Sequence, residues 1–214
     1  RSVYTGTRAD HKRALCDEDM KKVFTRLPSS SAIPLAVRRA QDMFVLMFLL
    51  RGLPFVDLAY LRKSDLRDNV ITYRRRKTGR PLSVTLTPEA LELLKKYMNR
   101  DSHSPYLFSL LKSGEGTKEA YREYQLALRS FNQQLTLLGK VLGLNDRLSS
   151  YTARHTWATT AYYCEIHPGI ISEAMGHSSI KVTETYLKPF RNKKIDEANN
   201  QIIDFVKHSI AGVV

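Results

Sequence analysis

The sequence predicts a mainly helical α+β domain carrying one small antiparallel β-sheet. Three observations lead there. Apolar residues recur at helical spacing over much of the chain, most clearly at Tyr121, Tyr124, Leu128, Phe131, Leu135, Leu138 and Val141. Two short β-branched stretches flank a single turn signal. A length of 214 residues with 43% apolar content is enough for one domain with a sizeable core, and no internal repeat or low-complexity segment suggests another architecture.

Residues 1–14 read as a linker, with Gly6, mixed charge and little periodicity. Asp17 to Leu27 suits a short helix, because Asp17, Glu18 and Asp19 place negative charge at the positive end of its dipole. Ser29, Ser30, Ser31 and Pro34 mark a loop. Ala36 to about Leu53 reads as a buried helix, apolar on nearly every face beyond Asp42. Val70-Ile71-Thr72-Tyr73 and Leu82-Ser83-Val84-Thr85-Leu86 alternate as strands, and Lys77-Thr78-Gly79-Arg80 between them predicts a hairpin. Thr87 caps a helix that Pro88 opens and that runs to Tyr97. Further helices are expected over Lys118–Leu142, Thr152–Cys164, Pro168–Met175 and Ile180–Leu187. A last one, Lys194–Ile210, gathers Ile195, Ala198, Ile202, Phe205 and Val206 on one stripe.

Composition narrows the function classes. Lys and Arg number 34 against 21 Asp and Glu, a net charge of +13. Such a surplus favours a polyanionic partner, since each neutralised phosphate releases condensed counterions. A basic protein of membrane surfaces would concentrate its charge on one amphipathic helix or tail. Here the cations spread from Arg8 to Lys207, with one dense run at Arg74-Arg75-Arg76-Lys77. An RNA-binding module would want exposed aromatic stacking motifs, and none stands out. No apolar run is long enough to span a bilayer, and no signal peptide is visible at Arg1–Arg13. Arg1 is not an initiator methionine, so the chain reads as a piece of something longer. Cys16 and Cys164 are too few and too far apart for a disulfide framework or a zinc site, which suits a reducing cytoplasm.

The chemistry concentrates in two segments. Tyr151 to Thr160 contains Arg154 and His155, and Met175 to Tyr186 contains His177, with Tyr186 nine positions beyond it. Taken alone, these residues suggest a phosphate site with a candidate nucleophile. A phenol can attack phosphorus in line and form a phosphotyrosine ester, dividing one difficult transfer into two reversible steps. Such a site needs an arginine fork for the non-bridging oxygens, a donor for their growing charge and an acid for the departing 5′ oxygen.

These segments resemble the tyrosine site-specific recombinases, the phage-type integrase family. The family's second box reads His-x-x-Arg-His, then Thr or Ser, an aromatic residue, Ala and Thr, and Tyr151–Thr160 follows it. Met175–Tyr186 follows the closing Leu-Gly-His box through to its tyrosine. The family's hairpin lysine falls on Lys77. Gly52-Leu53-Pro54-Phe55-Val56-Asp57-Leu58 lies on the first box, Gly-Leu-Arg-x-x-Glu-Leu. Two departures stand out. Pro54 occupies the first-box arginine position, and Tyr151 stands where most relatives carry His. Integrases of conjugative transposons and related mobile elements depart in a similar way at the first box.

The resemblance implies an integrase-type DNA breaking-rejoining fold and a strand-exchange enzyme with Tyr186 as nucleophile. Arg154 and His177 are its phosphate ligands, and Lys77 is the acid. Arg51, three residues before Pro54, is the expected substitute for the missing arginine, on the reading that both lie on one helical face. Tyr151 offers a hydrogen bond, although a phenol is a poor base near neutral pH. Arg74, Arg75, Arg76 and Arg80 are expected to track backbone phosphates. No metal, nucleotide or other cofactor is implied. The implied partners are double-stranded DNA with specific recombination sites, further copies in a tetramer, and accessory DNA-bending proteins. A core-binding domain is expected ahead of residues 1–14, a catalytic domain over 15–190, and a helix and tail over 191–214 suited to a neighbouring protomer. Two other readings stay open: a catalytically silent DNA-binding relative, and a type IB topoisomerase that relaxes DNA.

Overall fold

Helix α2 (Leu35–Leu49) forms the axis of the main core, with helices packed on several of its sides. In a computed structural model that describes residues 14–25, 27, 33–185 and 192–211, its Phe44, Leu46 and Met47 are wholly buried. Near-continuous apolarity over 43–50 allows it to meet α4 (Pro88–Tyr97), α5 (Lys118–Val141) and α6 (Thr152–Tyr163) on different sides. The short α1 (Asp17–Phe24) leans on α2 through the edge-to-face pair Phe24–Phe48.

Capping follows the local chemistry. Thr87 and Thr117 each accept a hydrogen bond from the backbone three residues on, at Ala90 and Ala120. The end of α2 is sharper than the sequence suggests. Leu50 closes the helix, Arg51 and Gly52 take left-handed φ values of 59° and 68°, and Leu53 N–H returns to the Met47 carbonyl at 2.9 Å. Pro54 is then the N-cap of a separate helix, α3 (Phe55–Tyr60), which the sequence pattern does not mark. Arg51 and Pro54 therefore do not share a helical face. The ring of Pro54 biases Leu53 to extended backbone, so the helix stops before the proline instead of kinking through it. Phe55 stacks on Phe131 at 4.7 Å, which seats α3 on α5.

The sheet has three strands in the order β1–β2–β3: β1 (Leu66–Arg67), β2 (Val70–Arg74) and β3 (Pro81–Thr85). The expected hairpin is β2–β3, in a register that pairs Ile71 with Val84 and Arg74 with Pro81. β1 escaped the sequence reading because two residues show no alternation.

Beyond α6, a satellite cluster of Ala158, Ile171 and Met175 ties α6 to α7 (Pro168–Ala174) and carries the chain into α8 (Ile180–Glu184). The last helix, α9 (Asn192–Ala211), is exposed at every residue over 195–207. No described helix is long and apolar enough to cross a membrane. The linker over 1–13 and Tyr186 itself lie outside the described residues.

Candidate active site

Arg154 sits in the first turn of α6 and is 2% exposed. Its Nη1 donates to the Gly52 carbonyl at 3.0 Å and its Nη2 to the Met175 carbonyl at 2.7 Å. One guanidinium therefore joins the α2–α3 turn to the end of α7. Both of these acceptors are neutral, so they orient the fork without cancelling its charge. The close approach depends on Gly52. A Cβ there would lie 2.9 Å from the Arg154 Cα, and φ of 68° already favours glycine.

A second glycine performs the matching task across the site. Gly176, at φ 64°, lets the chain turn from α7 into His177. A Cβ on it would meet the Arg75 Cγ at 2.8 Å. The hairpin tip is held against the same turn, because Thr78 Oγ1 donates to the Gly176 carbonyl at 3.1 Å. The β-hairpin, the α2–α3 turn and the α7–α8 turn thus meet at one place.

His177 is 3% exposed, and its Nδ1 lies 2.8 Å from the Thr183 hydroxyl on α8. Burial, followed by the positive charges of Arg154, Arg75, Lys77 and Arg80, lowers its pKa to about 3. The imidazole is neutral near pH 7. If Thr183 donates to Nδ1, the ring proton resides on Nε2, which is then a donor.

Lys77 lies exposed in the turn between β2 and β3. That turn is closed by Arg75 N–H to the Arg80 carbonyl at 2.8 Å and Gly79 N–H to the Arg75 carbonyl at 2.7 Å. The neighbouring arginines differ in their partners. Arg74 donates to the Gly79 carbonyl. Arg76 lies 3.7 Å over the Tyr60 ring and pairs with Glu115, which also binds Arg62 at 2.5 Å. Arg75 is buried and ion-paired with Asp57.

Arg51 donates to the Ser83 carbonyl at 3.2 Å and lines an open groove with Arg80, Ser83 and Glu173. Tyr151 is the N-cap residue of α6, 47% exposed, beside Pro54 and Phe55 in the cleft where α3 and α6 begin. Tyr186 directly follows Thr185, which ends α8, and is itself outside the described residues.

Motif spacing singles out Arg154, His177 and Lys77 but not the residues that hold them. Thr183, Thr78 and the Asp57–Arg75 pair become visible only in three dimensions, although Asp57 sits at the acidic position of the first box.

With this geometry in hand, comparison with known proteins is informative. The chain is 25% identical over 180 residues to the tyrosine recombinase XerA of Pyrococcus furiosus, covering 82% of this chain and 57% of that protein. It therefore spans a little over half the length of that relative. Among solved structures, a XerA recombinase superposes with a TM-score of 0.58 at 19% identity, covering 88% of this chain and 64% of the other. The Tn1549 transposon integrase, in complex with transposon right end DNA, superposes at 0.62 with 14% identity, covering 91% and 67%. Those two likenesses show the fold. Residues 15–193 match the description of the phage integrase family, and the chain belongs to that family.

Proposed function

We propose that this chain is the strand-exchange core of a site-specific DNA recombinase, working through a 3′-phosphotyrosyl link to Tyr186. The observation that carries the reading is the meeting of a buried arginine, a buried neutral histidine and a lysine-bearing turn at one place, a short helix ahead of Tyr186. The Tn1549 integrase, whose fold this chain shares, was solved with its transposon end DNA, which supports double-stranded DNA as the substrate here.

In the forward step the Tyr186 oxygen attacks the scissile phosphorus and the bond from phosphorus to the 5′ oxygen breaks. The phenolic proton leaves to a base, and Lys77 protonates the departing oxygen. Arg154 and the Nε2 donor of His177 hold the non-bridging oxygens as their charge grows. Arg51, Arg74 and Arg80, and Arg76 once Glu115 yields, supply further phosphate contacts, with the Tyr151 hydroxyl as a donor. A free 5′ hydroxyl attacking the phosphotyrosine reverses the step on a new partner strand, so the bond energy is retained. Ile202, Phe205 and Val206 stay exposed on α9, which supports docking of this helix on a neighbouring copy within a tetramer.

The test is covalent capture. Nicked duplexes selected from a randomised pool should be retained by the wild type and lost with Tyr186→Phe, while noncovalent affinity stays within about twofold. Capture that survives Tyr186→Phe would refute the assignment. Relaxation of supercoiled plasmid without exchange between two sites would favour topoisomerase action instead.

A further inference from the structure

Arg75 is the most deeply placed cation of the hairpin, 5% exposed, and its setting differs from that of its neighbours. Its Nη1 donates to Asp57 Oδ2, while Asp57 Oδ1 accepts from the Arg76 backbone N–H at 3.0 Å. Asp57 is 2% exposed and stands in the first turn of α3, three residues after Pro54. The carboxylate therefore holds one end of the guanidinium directly behind the α2–α3 turn. The aliphatic part of Arg75 packs against Gly176, the residue before His177.

What remains is the other edge of the fork. With Nη1 taken by Asp57, the side-on pair Nε and Nη2 is the edge suited to two phosphate oxygens. Arg75 Nε is buried with no hydrogen-bond partner among the described residues. A buried donor left unsatisfied is costly, and an ordinary structural ion pair would have no reason to leave one. An entering phosphate oxygen would satisfy it.

Arg51 is placed differently. It donates to the Ser83 carbonyl and faces the groove with Glu173. The charges felt most by His177 are those of Arg154 and Arg75, ahead of Lys77 and Arg80.

We propose that Arg75 is a second phosphate-binding arginine of this site, held by Asp57 beside Arg154 and His177, and that it supplies the cation missing at Pro54. This rests on the Tyr186 reading above. Asp57 is the positioning residue, and Arg75 is the group that touches the phosphate.

The test compares covalent capture of duplexes that carry either a normal phosphodiester or a neutral methylphosphonate at the scissile position. Arg75→Ala alone would strand the Asp57 charge, so the informative variant is Asp57→Asn/Arg75→Gln, a neutral pair that can still hydrogen-bond. Arg75→Lys serves as the charge-keeping companion. On the phosphodiester, the double variant should lose about 10²-fold or more in capture rate. Arg75→Lys should lose less, because it keeps the charge and gives up only the fork. On the methylphosphonate, which has no anionic charge to neutralise, the double variant should come within about tenfold of the wild type. Equal losses on both substrates would overturn the assignment and leave Arg75 a structural residue. Wild-type capture absent from both substrates, or persisting in Tyr186→Phe, would overturn the Tyr186 reading, and Arg75 with it.

Discussion

Two arginines, Arg51 and Arg154, show how differently one side chain can be held. Arg154 is buried against two carbonyls, whereas Arg51 is half-buried with φ of 59°. A left-handed non-glycine residue costs about 1–2 kcal/mol. Replacing it with glycine relieves that strain and adds unfolded-state freedom worth about 0.4–1 kcal/mol in the opposite sense. Arg51→Gly should therefore change unfolding free energy by no more than about 1.6 kcal/mol. That makes it the clean way to remove the guanidinium: a large fall in capture would give Arg51 a role, and none would leave it outside the chemistry. His177 yields a second residue-scale expectation, with a definite sign. Its folded pKa of about 3 lies below the ordinary value of 6.5, so the unfolded chain binds the proton first. Its contribution therefore favours the fold above pH 6.5 and is lost as pH falls toward 3. Across that window wild-type stability should fall faster than that of His177→Gln, by up to about 1.4 kcal/mol per pH unit. Denaturant melts of both proteins at matched pH measure the difference, and parallel curves would mean that His177 titrates normally.

At the scale of elements, the site is assembled by turns. Gly79 and Gly176 adopt nearly the same left-handed backbone, at φ 70° and 64°, yet a Cβ on Gly79 would meet nothing within 4 Å while one on Gly176 would strike Arg75. Gly79→Ala should therefore cost only the backbone term of about 1–2 kcal/mol. Gly176→Ala should cost measurably more and impair capture, because it pushes Arg75 away from the α7 turn. Equal losses in thermal or denaturant unfolding would mean that the hairpin adjusts freely. The same turns explain what the sequence could and could not reveal. Helical periodicity located α4, α5, α6 and α7 to within a residue, and alternation located the hairpin, because both patterns are written locally. The continuous apolar run over 43–50 gave no clue to the end of α2, so the expected helix ran to about Leu53 and put Arg51 on one face with Pro54, which is instead the N-cap of α3. Motif spacing marked Arg154, His177 and Lys77, but Asp57–Arg75 joins residues 18 apart and Thr78–Gly176 residues 98 apart. No single-chain periodicity encodes such long-range pairs.

For the molecule as a whole, the net charge is +13, and among the described residues Glu115 binds two cations at once, Arg62 and Arg76. Affinity for duplex DNA should fall with salt at a log–log slope of about −0.9 per phosphate contact. Glu115→Gln should strengthen binding and steepen that slope by freeing two arginines, as salt titrations of both proteins would show; an unchanged slope would mean that neither arginine reaches the backbone. What the whole molecule does turns on one oxygen atom, that of Tyr186. Trypsin should release Tyr186 within residues 182–191, since the bond between Lys188 and Pro189 resists cleavage, and Tyr186 is the only tyrosine in that peptide. Mass spectrometry of the DNA-linked protein after nuclease trimming therefore tests the account most directly. A 3′-phosphonucleotide carried on the 182–191 peptide is the predicted result, and an adduct on any other peptide would contradict it.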